Sequence, residues 1–253
     1  MNYEDLINTT TEVGYLLLAN GAEIYRVEES MQRIFRAYGT CGDIFAIPTC
    51  IYVTVSTDQG TPLTKIKRVY SRQTDLEKVE RLNNLSRTIC REKPDFKTIR
   101  QELHGIDARK AYTLPEQVVA FSLVAFFFTL FYGGNLPDAV CAILCGAAVK
   151  GVSYQMERFR ANSFFTNILA SAAAAAIALT SVHFYAGLNA DKIIIGALMN
   201  LVPGIAITSF MRDLIAGDLI AGLIRLTESL LVATAIAIGA GLALTVTRSI
   251  WGV

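Results

Sequence analysis

From Leu114 onward the chain carries five stretches of about 20 mostly apolar residues, the length a helix needs to cross a bilayer. Lipid offers no partner to an unpaired N–H or C=O, so such stretches satisfy their backbones there only as helices. They cover 114–132, about 136–154, about 164–185, 193–211 and about 219–246. The turns between them are short and carry Gly, Asn or Asp, which implies antiparallel neighbours in one bundle. The predicted fold class is an α-helical membrane bundle of five transmembrane helices over 113–253. A small α+β cytoplasmic domain over 1–112 precedes it.

Charge divides the chain at the same point. Residues 1–112 hold 16 of the 23 Lys and Arg and 15 of the 22 Asp and Glu, so this part reads as a water-soluble domain. A net charge of +1 gives no reason to expect nucleic acid as a partner. The first 21 residues include Glu4, Asp5 and Glu12 and lack the basic start and apolar core of a leader, so the amino terminus is expected inside. Flanking positive charge agrees. Arg109, Lys110, Arg158, Arg160 and Arg212 fall on one side of the five spans, against Lys192 and Arg248 on the other. The expected protein is multi-pass in the cell membrane, plasma or inner, with its N-terminus cytoplasmic and its C-terminus outside.

Within the soluble part, Val13, Leu16, Leu17, Ile24, Val27, Met31, Ile34 and Phe35 recur at spacings of three and four. That pattern predicts one long or broken amphipathic helix over 4–38, ended by Gly39. The β-branched alternation of IFAIPTCIYVTVST and TKIKRVYSR predicts a sheet of two or three strands, and helices are expected at 75–91 and 95–104 around Pro94. No phosphate-cradling glycine loop or nucleophile elbow is present in the sequence. The five cysteines are odd in number and form no CxxC pair, so no metal, cofactor or disulfide framework is expected. His104 reads as a surface residue, and Cys141 and Cys145 as small packing residues one turn apart.

Polar groups inside the spans are costly, by roughly 2.5–3.5 kcal/mol each at mid-helix, so each asks for a reason. Pro203–Gly204 lies half-way along the fourth span. Proline removes a donor and clashes with the carbonyl four residues back, at Met199, so the helix should kink or break there. Asn200, one turn earlier, can donate and accept near the freed carbonyl. Interrupted helices of this kind expose backbone groups to a substrate or ion, although many proline kinks serve packing alone. In the fifth span Arg225 and Glu228 share a face, roughly 9 and 13 Å in from Leu219. They read either as a buried structural ion pair or as a proton-binding carboxylate beside an arginine that receives a substrate carboxylate. Arg212 and Asp213, just past the fourth span, either gate and recognise substrate or serve as topogenic charge and cap. Lys150 and His183 read as interfacial. The candidate pathway is therefore Asn200, Pro203, Gly204, Arg212, Asp213, Arg225 and Glu228.

Two stretches carry a family resemblance: GYLLLANGAEIYRVEESMQRIFRAYG at 14–39 and NLVPGIAITSFMRDLIAGDLIAGLIRLTESLL at 200–231. With the soluble-then-five-span layout, they resemble the N-terminal, five-span component of the threonine/serine exporter family. The resemblance implies a subunit or half of a secondary exporter, with no enzymatic activity. Its substrate would be threonine and serine or a succinate-like dicarboxylate, driven by the proton gradient. It also implies a separately encoded small membrane subunit as partner, and the small-residue stripe of the bundle allows a homo-oligomer. Two other readings compete. One is a membrane-anchored sensor or regulator whose soluble domain binds a ligand, which leaves Glu228 and the Pro203 break without a use. The other is an intramembrane enzyme, which lacks a histidine-rich or paired-aspartate constellation.

Overall fold

The computed structural model describes residues 2–58, 60–109 and 112–251. Lys110, one of the charges in the orientation argument, lies outside them. In chain order the elements are α1 (Tyr3–Ala19), α2 (Ile24–Ala37), β1 (Gly42–Ile47), β2 (Cys50–Ser56), β3 (Pro62–Arg68), α3 (Leu76–Glu92), α4 (Phe96–Asp107), α5 (Leu114–Phe131), α6 (Leu136–Arg158), α7 (Ser163–Phe184), α8 (Ala190–Leu198), α9 (Gly204–Ala216) and α10 (Leu219–Trp251). They form two compact units: Met1–Lys110 with Ile207–Leu226, and Ala111–Ala206 with Thr227–Val253.

The first unit is built on α1 and α2. The 4–38 pattern is a broken helix: α1 stops at Ala19, and Gly21 adopts φ +93°, a left-handed conformation that glycine takes without a Cβ clash. The apolar face of both helices (Leu6, Val13, Leu17, Val27, Met31 and Phe35) is fully buried. Gly14 lets the helices approach, since a Cβ there would meet the Met31 thioether. The three strands pair antiparallel in the order β1-β2-β3, with Ile51 opposite both Ala46 and Lys67. Ile51, Val53 and Val55 of the central strand point into the core, and the exposed Tyr52 points away, as period-2 alternation requires. Asp75 and Asp95 cap α3 and α4 through the backbone N–H groups of Lys78 and Lys97, each at 3.0 Å. Ala221 of α10 joins this core, which shows that the first turns of that helix belong to the first unit.

The second unit is packed by small residues. Ala125, Ala142, Cys145, Ala174, Ala178 and Ala197 are fully buried, whereas Leu123, Phe127, Val140, Leu144 and Leu169 face outward. That inversion of large and small residues suits a bundle whose solvent is as apolar as leucine. A Cβ on Gly146 would lie 2.5 Å from the Phe121 carbonyl oxygen, and one on Gly239 would lie 2.2 Å from that of Ile168. Each glycine marks a backbone-to-backbone approach. Cys141 and Cys145 are free thiols within this packing.

Among the described residues, four helices are long and apolar enough to cross a membrane: Leu114–Phe131, Leu136–Arg158, Ser163–Phe184 and Leu219–Trp251. The remaining apolar stretch, 193–211, is divided between α8, of 9 residues, and α9, of 13. Neither alone reaches the roughly 20 residues a crossing requires. The interruption falls at Met199–Pro203, where proline's missing N–H denies the helix a hydrogen bond. The α10 helix is longer than its expected span, at 33 residues.

Candidate functional site

Charged residues of the two resembling stretches meet in the first unit. The turn between α1 and α2 presents Ala22 and Glu23, and α9 brings Arg212 and Asp213. Gly217, at φ +93°, reverses the chain after α9, and the Asp218 N–H closes the turn on the Asp213 carbonyl at 2.9 Å. A Cβ on Gly222 would lie 2.7 Å from a Leu214 methyl, so α10 runs close against α9. This geometry carries Arg225 to Asp213, with Nε 3.3 Å from Oδ2, while Nη2 donates to the Ala22 carbonyl at 3.0 Å. Both side chains are buried, Asp213 completely. Arg212 pairs with Glu23, and Glu23 also holds Arg26 at 2.5 Å.

The distance from Arg225 to Asp213 is that of an ion pair, yet neither Asp213 oxygen receives a hydrogen bond of good geometry. The distance is the better guide to the electrostatics, because attraction between charges falls off slowly with misalignment, whereas a hydrogen bond does not. Asp213 is therefore a buried carboxylate held chiefly by its charge attraction to Arg225.

A cavity of about 510 Å³ opens in the second unit, lined among others by Asn162, Ser163, Pro203, Ala206, Glu228 and Ser229. Two predicted pathway residues, Pro203 and Glu228, thus share one wall-to-wall space. Asn200 sits in the interruption between α8 and α9 and donates to the carbonyls of Phe121 and Ala197, both at 3.1 Å. Its expected neighbour was the Met199 carbonyl, but its amide instead ties the interruption to α5. Gly204 opens α9 with no atom within 4 Å of where its Cβ would stand.

The seven sequence-predicted residues thus fall into two groups. Arg212, Asp213 and Arg225 belong to the first unit; Asn200, Pro203, Gly204 and Glu228 belong to the second. Sequence reasoning missed Glu23, whose only signal was its place in the first resembling stretch. It also missed Asp138, which is fully buried and accepts from the N–H groups of Asn189 at 2.8 Å and Asn135 at 2.9 Å. All of Asp138's contacts are to capping and turn groups, so it fixes the start of α6 to the turn before α8. Lys150 is buried beside the Phe121 ring, its Nζ 3.9 Å from Glu157. Among the described residues, no three His, Cys, Asp or Glu side chains are grouped to hold a metal ion.

Residues 8–247 match the model of the family described as "Putative threonine/serine exporter". The chain belongs to the threonine/serine exporter family. A "Probable threonine/serine exporter" from Mycobacterium tuberculosis is 20% identical over 240 residues, covering 92% of this chain and 45% of the relative. The chain thus spans less than half the length of the curated relative it matches. No solved structure matches it. Family membership and the four long apolar helices make this a membrane protein of an exporter family.

Proposed function

We propose that this chain is a subunit or half of a proton-coupled secondary exporter of small polar metabolites, threonine and serine or a succinate-like dicarboxylate. The observation that carries the proposal is the family match over 8–247, which includes both the Pro203 interruption and the charged cluster. On this reading α8 and α9 together make one interrupted crossing, giving five in all. The amino-terminal unit is cytoplasmic and the C-terminus outside, in the cell membrane. A second, small membrane subunit completes the transporter, as the family resemblance implies.

The length of α10 bears on Glu228. Thirty-three residues extend about 50 Å, some 20 Å more than a hydrocarbon core of about 30 Å. The contact of Arg225 with Ala22 supports an overhang at the amino-terminal end of α10. Glu228 then stands near the cytoplasmic mouth of the crossing, at the wall of the Pro203 cavity, rather than at the membrane middle. A proton carrier at a mouth exchanges with water easily, which suits coupling by competition between proton and substrate. Flux of radiolabelled threonine, serine and succinate from proteoliposomes tests the proposal. Activity with the second subunit and none without it is expected; robust flux from this chain alone would remove the need for a partner.

A further inference from the structure

A separate groove of about 650 Å³ runs between α2 and α3 in the first unit. Arg26 and Arg33 enter it from α2, seven residues and hence two turns apart. Arg87 and Arg91 enter from α3, one turn apart. Four guanidiniums and one carboxylate, Glu29, line the groove. Like charges at i,i+4, as in Arg87 and Arg91, destabilise a helix, so this arrangement is not what folding alone would favour. Local acids relieve it only in part: Glu29 pairs with Arg33 at 2.6 Å, Glu92 with Arg91 at 2.6 Å, and Glu23, shared with Arg212, with Arg26 at 2.5 Å. Arg87 has no acidic partner among the described residues.

We propose that this groove binds a small phosphate-bearing metabolite of nucleotide size. The volume falls within the 300–1,000 Å³ or so typical of small-molecule sites. Guanidinium groups match phosphate oxygens two at a time, so four of them lining one groove fit a ligand rich in phosphate oxygens. A diphosphate ester presents more such oxygens than a dicarboxylate, and an amino acid presents fewer still. Tyr25 supplies an aromatic face, and Ser30 and Asn83 supply neutral hydrogen-bonding groups beside the arginines. The groove also reaches the buried cluster, because Arg26 shares Glu23 with Arg212.

Titration calorimetry on the full chain in zwitterionic nanodiscs tests this without any transport readout. The probes are ADP and inorganic pyrophosphate, with adenosine, succinate and glycerol 3-phosphate for comparison. Saturable binding of ADP and pyrophosphate is expected, weakened by salt, with adenosine silent and succinate much weaker. Arg87→Gln and Arg33→Gln should each weaken ADP about tenfold or more, as loss of a charged hydrogen bond predicts. Arg81→Gln, which lies outside the groove and pairs with Glu77, should leave binding unchanged. Absence of saturable ADP and pyrophosphate binding would overturn the proposal. So would equal weakening by Arg81→Gln, or succinate binding as tightly as ADP. Binding only when anionic phospholipid replaces the zwitterionic lipid, with soluble phosphates inert, would assign the groove to a lipid headgroup and overturn it as well.

Discussion

Arg225 of α10 lies 3.3 Å from Asp213 of α9 and donates to the Ala22 carbonyl, joining two consecutive helices to a turn 203 residues away in sequence. Both charges are out of water, so removing either leaves the other uncompensated, at a cost of about 3–5 kcal/mol. Asp213→Asn should therefore lower the melting temperature of the purified protein clearly. The double variant Asp213→Leu/Arg225→Met should recover part of the loss, because no lone charge remains. A double variant no more stable than the single one would show that the ion pair is not what the site depends on.

Arg212 behaves differently. Its side chain is 59% exposed, so its pair with Glu23 should contribute less than about 1 kcal/mol to stability. Arg212→Gln is expected to fold and insert as the parent does, yet to lower export, on the reading that this arginine gates or recognises substrate rather than serving as topogenic charge. Thermal melting and flux, measured on the same preparation, separate the two effects. Unchanged flux would take Arg212 out of the pathway.

Two glycine substitutions test the packing. Gly146→Ala places a methyl 2.5 Å from the Phe121 carbonyl oxygen and must push α5 and α6 apart, at about 1–3 kcal/mol. Gly204→Ala meets nothing within 4 Å and should leave stability nearly unchanged. The reverse order in melting temperature would contradict the helix packing described for the second unit.

Pro203→Ala restores an N–H where α8 and α9 are separated. The prediction is a longer α8, gained helical circular dichroism, a smaller cavity beside Glu228 and reduced export. If flux is unaffected while helicity rises, the interruption is a packing feature and not part of the pathway.

What the sequence revealed was what local chemistry controls. Proline's missing N–H foretold the break before Gly204. The alternation of Ile51, Val53 and Val55 foretold a sheet, and Asp75 and Asp95 marked helix starts within a residue. The division of 4–38 into α1 and α2 was legible only as an option, because it turns on the backbone conformation of Gly21. What tertiary contact controls stayed hidden. Ala22 and Arg225 are 203 residues apart, and no periodicity hints that the first turns of α10 pack with the amino-terminal unit. With the proposed overhang at the start of α10, Glu228 lies shallower than counting inward from Leu219 suggests. Glu23 looked like any solvated acid on a helix, and Asp138 like an ordinary cap.

The central claim, that Glu228 couples a proton to export, is tested most directly by one comparison in proteoliposomes holding this chain and its second subunit. Efflux of preloaded threonine, serine or succinate is followed with and without an imposed pH gradient, for the parent and for Glu228→Gln at matched insertion. The account predicts that Glu228→Gln inserts normally and loses gradient-driven export while retaining substrate exchange. A well-inserted Glu228→Gln protein whose flux still responds to the pH gradient as the parent's does would contradict it.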